Sequence, residues 1–143
     1  LIPYAFRLPF LFTAPDVVIS ELKEPEGRDL VSLGLRKKEL TSDEVRQVIE
    51  LASRYRAPSR VDLFALVLAK ARGGVLLTGD RHLRKAAERE KVPVHGILWF
   101  LDRLVNQHIV TPPQAAQALR KMLEKGSRLP RAECERRLKY WER

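Results

Sequence analysis

The chain has 143 residues, 45% of them hydrophobic, which suits a single domain with its own core. One cysteine, Cys134, excludes a disulfide framework and a cysteine-based zinc site and points to a reducing, cytoplasmic setting. A net charge of +9 favours a polyanionic partner, nucleic acid first, and the longest apolar run, Leu63 to Ala69, is too short to span a bilayer.

Pro3, Arg7 and Pro9 interrupt the apolar N-terminal stretch, which argues against a signal peptide. A start at Leu1 rather than methionine leads us to expect a sequence that begins partway into a longer product. Asp16-Val17-Val18-Ile19-Ser20 is a short apolar stretch, read as a strand with Glu21 after it, that leads into Glu21-Leu22-Lys23, a turn or short helix that Pro25 and Gly27 end. Asp29 to Leu35 also reads as a strand, with Gly34 as a bulge. Thr41 and Glu44 have capping-box spacing, and Val45, Val48, Ile49, Ala52 and Tyr55 follow as one helical stripe. The helix that Ser59 to Asp62 opens is apolar on every face, so it should be covered on several sides. Gly73 and Gly74 end it. Val75-Leu76-Leu77 then reads as a strand of a parallel sheet covered on both faces. Arg81 to Lys91 forms a short helix, and Val92 to Gly96 forms an edge strand, because Pro93 cannot donate to a ladder. Three helical segments close the chain: Ile97 to Ile109, one opening at Thr111-Pro112, and one opening at Leu129-Pro130. Alternating elements of this kind define an α/β domain.

In an open parallel sheet, ligands bind beyond the carboxyl ends of the strands. Glu21, Asp62 and Asp80 fall at that end of the expected sheet. Carboxylates held together repel one another unless a cation sits between them, and Mg²⁺ accepts a few carboxylates together with waters. The three histidines, His82, His95 and His108, lack metal-ligand spacing. Each acid also has a plain structural role open to it. Asp62 completes a Ser59-x-x-Asp62 capping pattern, Asp80 can cap the following helix, and Glu21 can be a solvated helix residue. Neither G-x-G-x-x-G, G-x-x-x-x-G-K-[ST] nor G-x-S-x-G occurs, so dinucleotide, P-loop and nucleophile-elbow sites lack their residues.

Val17-Val18-Ile19-Ser20-Glu21-Leu22, then Asp62 with Ala65-Leu66-Val67-Leu68-Ala69, then Leu76-Leu77-Thr78-Gly79-Asp80, resembles in order the second, third and fourth acidic motifs of the PIN domain family. Leu83 to Ala87, Val92 to Ile97 and Leu101 to Val105 resemble its bacterial and archaeal toxin-like branch. The resemblance implies a three-layer α/β/α fold with a parallel central sheet, extended by C-terminal helices over 111–143. It implies a Mg²⁺- or Mn²⁺-dependent endoribonuclease, the toxin of a toxin–antitoxin pair, acting on RNA as a homodimer. Glu21, Asp62 and Asp80 would then hold the metal, and the Thr78 hydroxyl would bond the carboxylates or a metal-bound water. Arg60 and Arg81 would meet phosphates. The chain departs from the pattern in one place: the family opens with a central strand ending in aspartate, and Leu1 to Phe6 holds no acid. An upstream segment, a partner chain, or the N-terminal stretch without the acid would have to fill that position. A catalytically inactive RNA-binding or partner-binding module is the alternative that this departure raises.

Arg36-Lys37-Lys38, Arg84-Lys85 and the run from Arg136 to Lys139 are basic clusters that read first as solvated faces and second as an RNA track. Trp99, Phe100 and Trp141 are candidates for base stacking, although Phe100 or Trp99 is expected to pack in a core or subunit contact, and Tyr140-Trp141 is a candidate dimer anchor.

Overall fold

A computed structural model describes residues 2–23 and 26–143. The elements in chain order are α1 (Ile2–Ala5), β1 (Thr13–Pro15), α2 (Asp16–Glu21), α3 (Gly27–Leu33), β2 (Arg36–Lys38), α4 (Ser42–Arg54) and α5 (Arg60–Arg72). After them come β3 (Leu76–Leu77), α6 (Arg81–Arg89), β4 (Val94–His95), α7 (Ile97–Asn106), α8 (Pro112–Glu124) and α9 (Arg131–Trp141). They divide between two compact units, residues 10–97 and residues 1–9 with 98–143.

In the unit of residues 10–97, α5 is the organising element. It packs against α2, α4, α6, β1 and β3, which is why its sequence is apolar all round. Leu63, Leu66, Val67 and Leu68 are buried there, with Val48 and Leu51 of α4, Leu76 of β3, and Leu83, Ala86 and Ala87 of α6. Local chemistry sets the helix limits. Thr41 and Glu44 form the expected capping box, Ser59 accepts a hydrogen bond from the Asp62 amide, and Gly73, at φ +63°, ends α5 in the left-handed region.

Among the described residues the paired strands are parallel, and the protein is a mixed α/β protein. β1 pairs with β2 in the register Thr13↔Arg36, Ala14↔Lys37 and Pro15↔Lys38, and β3 pairs with β4 as Leu76↔Val94 and Leu77↔His95. Among the described residues these are two separate two-stranded ladders. Each therefore keeps an unpaired edge. The Leu76 amide donates to Pro93 O and the Thr78 amide to His95 O. Alternation along the strand turns the Leu77 amide to the opposite edge.

Two expected strands are helices. Val17-Val18-Ile19 lies in α2, where Asp16 Oδ1 accepts from the Val17 amide and Ile19 is buried. β-branched residues in a helix cost only tenths of a kcal/mol each. Packing against α5 and α3 outweighs that. Asp29 to Leu35 falls largely in α3, and Gly34, at φ +129°, is its C-cap and not a bulge. The strands that do form, Thr-Ala-Pro and Arg-Lys-Lys, have no apolar alternation. β3 is also shorter than expected and is not covered on both faces, since Val75 and Leu77 are 48% and 39% exposed. In α4, Ile49 faces solvent while Leu51 is buried, a shift of the expected stripe. Ile2–Ala5 is helical, so the N-terminal stretch does not take the place of a strand.

The second unit comprises α1, α8, α9 and all of α7 beyond Ile97. α8 packs on α9, and Leu101, Leu104, Ala115, Ala116, Leu119, Leu138 and Trp141 are buried. Thr111 and Gln114 close a second capping box, with Pro112 at the first helical position. Cys134 is buried, and burial pushes its thiol pKa up, which suits an inert packing residue.

Candidate active site

The three acids lie on elements that meet at α5. Glu21 ends α2, Asp62 sits in the first turn of α5, and Asp80 precedes α6. Because Val17 to Glu21 is helical, Glu21 does not sit at the end of a strand as expected. It is exposed.

Asp80 does two things. Its Oδ1 accepts the amides of His82 and Leu83, at 2.7 and 3.0 Å, which caps α6. Its Oδ2 accepts no hydrogen bond from the described residues. Behind it, Thr78 Oγ1 accepts the Asp80 amide at 3.1 Å. The Thr78 hydroxyl thus holds the backbone of the motif and does not bond a carboxylate. Gly79 leaves the front open, for a Cβ there would meet nothing within 4 Å.

Asp62 is half-buried. Ser59 Oγ accepts its amide at 3.1 Å, but the Asp62 carboxylate does not return a bond to Ser59, so the capping box is only half made. Neither Asp62 oxygen accepts a hydrogen bond from the described residues. Neither Asp62, Asp80 nor Glu21 takes part in a salt bridge among the described residues.

Hard oxygen donors without cationic partners suit Mg²⁺ or Mn²⁺ chemically. Geometry adds a restriction. Among the described residues no three His, Cys, Asp or Glu side chains gather closely enough to form a metal cage. Mg²⁺ commonly takes one or two carboxylates and completes its shell with waters and substrate phosphates, so a cage of three is not required.

Cations stand on both sides. Arg60 opens α5 and Arg81 opens α6, both exposed. A third was read from sequence only as part of a solvated cluster. Arg84 is half-buried, and a Cβ on Gly96 would lie 2.8 Å from its Nη2 and 3.6 Å from Thr78 O. The glycine just after β4 makes room for that guanidinium behind the Thr78-Gly79-Asp80 turn. Gly96 is the signal that could have revealed it.

A cleft of about 540 Å³ lies elsewhere, on α2, α3 and β2, lined by Ile19, Leu22, Lys23, Val31 and Lys37 among others. None of Asp62, Thr78 and Asp80 lines it, so cleft size does not point to the acids.

Parallel strands around a central apolar helix make a mixed α/β fold, with acids at the starts of α5 and α6. The family model described as "DUF3368: PIN domain" matches residues 5–143, nearly the whole chain. The chain belongs to the PIN domain family. Proteins of this family are commonly nucleases and generally depend on a divalent metal. No curated protein and no solved structure matches the chain.

Proposed function

We propose that this chain is a Mg²⁺- or Mn²⁺-dependent endoribonuclease that hydrolyses RNA phosphodiester bonds. In this reading it is the toxin of a toxin–antitoxin pair and works as a homodimer in the cytoplasm. The observation that carries the reading is the set of carboxylate oxygens that have no partner among the described residues at the starts of two adjacent helices: both oxygens of Asp62, and Oδ2 of an Asp80 whose other oxygen fixes its position.

Asp62 and Asp80 would hold the ion, and Glu21 would add a third carboxylate. The chemistry that Mg²⁺ or Mn²⁺ supplies when bound is polarisation of a water and of the scissile phosphate. The Thr78 hydroxyl holds the Asp80 backbone in place, and Arg60 and Arg81 receive phosphates. The reading also takes the two strand pairs as flanks of one central sheet in a three-layer fold. An acid-bearing strand between them would pair with the free edges of β1 and β3 and bring a further carboxylate.

One observation favours the second reading, a catalytically inactive RNA- or partner-binding module. The described residues contain no gathered trio of acids and no such central strand. Mn²⁺ titration by calorimetry separates the two. The enzyme reading predicts binding that Asp62→Asn weakens at least tenfold, together with RNA cleavage that EDTA stops. The module predicts neither, and RNA affinity that follows salt alone.

A further inference from the structure

The net charge is distributed unevenly. The unit of residues 1–9 and 98–143 contains eleven Lys and Arg against five Asp and Glu, and so carries +6 of the chain's +9. Three of its five acids are already paired: Asp102 with Arg137, Glu135 with Arg131, and Glu142 with Arg120. Each pair takes up one cation with one acid, so the surplus stays at +6, carried by eight cations against two acids outside those pairs.

Part of that surplus borders a cleft. About 610 Å³ in volume, it lies between α7 and α9 and is lined by Asp102, Val105, Asn106, Glu133, Arg136, Arg137, Tyr140 and Trp141. The Arg137–Asp102 pair, bidentate at 2.9 and 2.7 Å, ties the two helices together and forms a rigid wall. Trp141, expected as a stacking residue, is buried and lends the cleft only an apolar side.

Its neighbour Tyr140 is 63% exposed. Arg136 and Tyr140, at i and i+4, share one face of α9, and Arg143 lies two residues past the end of that helix. The Arg143 guanidinium stacks on the Tyr140 ring, 5.2 Å from its centroid. Arg136 is exposed and has no ion-pair partner among the described residues. An exposed aromatic ring flanked by two cations, beside a cleft with an amide and a carboxylate, has the parts that an unpaired nucleobase needs. These are a π-face, hydrogen-bonding groups for the base edge, and positive charge for the phosphates on either side.

We propose that the α7–α9 cleft is a single-stranded RNA subsite in which Tyr140 stacks a base, Asn106 and Glu133 meet its edge, and Arg136 and Arg143 hold the flanking phosphates. It is built on residues other than the candidate nuclease acids, and it rests on the ribonuclease reading only for the choice of RNA as the polyanion. The charge surplus argues for a polyanion over a second copy of this chain, which would bring the same positive field to the contact.

The test is fluorescence anisotropy of the full chain with a short labelled oligouridylate in EDTA, so that cleavage cannot intervene. Tyr140→Ala is expected to weaken binding roughly tenfold and Tyr140→Phe to leave it unchanged, because a phenyl ring stacks as well. Arg136→Gln should flatten the slope of log affinity against log salt by about 0.7, the value for one lost phosphate contact to a single strand. Circular dichroism checks that each variant is folded. Wild-type affinity and salt slope in folded Tyr140→Ala and Arg136→Gln would overturn the proposal. So would a wild-type dimer that Tyr140→Ala dissociates, for the cleft would then belong to a second copy. Binding as predicted, with no cleavage when Mn²⁺ is restored, would instead defeat the ribonuclease reading and leave the subsite standing.

Discussion

Asp80 shows how one side chain can be structural and reactive at once. Asparagine caps a helix about as well as aspartate, whereas alanine gives up about 1 kcal/mol. Asp80→Asn should therefore keep the melting temperature of the wild type and remove at least a hundredfold of any metal-dependent cleavage, while Asp80→Ala should lose both. Melting curves beside cleavage rates check this. Glu90 contrasts with it. Its side chain is only 7% exposed, and it accepts from Tyr55 Oη at 2.5 Å, Lys70 Nζ at 2.8 Å and Arg54 Nη1 at 3.1 Å. Led by the Lys70 and Tyr55 hydrogen bonds, this cluster lowers the Glu90 pKa to about 2. A carboxylate with a depressed folded-state pKa stabilises the fold above its unfolded value, near 4.5, and the contribution fades as pH falls towards 2. Arg54 and Lys70 are half exposed, so solvent screening reduces the effect to about 1–2 kcal/mol. Glu90→Gln should thus melt lower than wild type at pH 7, and the gap should close near pH 2. A gap independent of pH would contradict the assignment. The acids of the candidate site were legible because a motif carries them. Glu90 was not, since its partners are 20 to 36 positions away in sequence and only the packing of α4, α5 and α6 brings them together.

The same boundary between local and distant causes runs through the elements. Thr41, Ser59, Asp80 and Thr111 cap helices where sequence placed them, because a cap depends on the next three residues. Val17 to Ile19 and Asp29 to Leu35 read as extended because apolar content in sequence carries nothing of α2–α3 packing. Gly27 marks that packing. A Cβ there would run into the carbonyl oxygen and side chain of Ile19. Gly27→Ala should cost about 1–3 kcal/mol, read from denaturant unfolding, because the obstacle includes backbone that cannot rotate away. β2 was missed for another reason: Arg-Lys-Lys lacks any apolar face, yet cationic residues are typical of an edge strand. The unpaired edge of β3 makes a separate prediction. Leu76 and Thr78 donate their amides to β4, so both should exchange hydrogen slowly, whereas the Leu77 amide should exchange much faster. Equal protection at all three would mean that another strand covers that edge.

At the scale of the whole molecule, α5 organises the unit that holds the acids, and the other unit holds most of the positive charge. The charge was legible in the composition, but its concentration in one unit was not, because residues 1–9 join 98–143 only in the fold. No helix among the described residues is long and apolar enough to cross a membrane. The central claim is that the Thr78-Gly79-Asp80 turn between β3 and α6 presents a metal-ligating carboxylate of a nuclease. Cleavage of a mixed structured RNA by wild type with Mn²⁺, by Asp80→Asn with Mn²⁺, and by wild type with EDTA tests it most directly. The account predicts cleavage in the first sample and none in the other two. Cleavage by Asp80→Asn at the wild-type rate, or silence in all three, would contradict it.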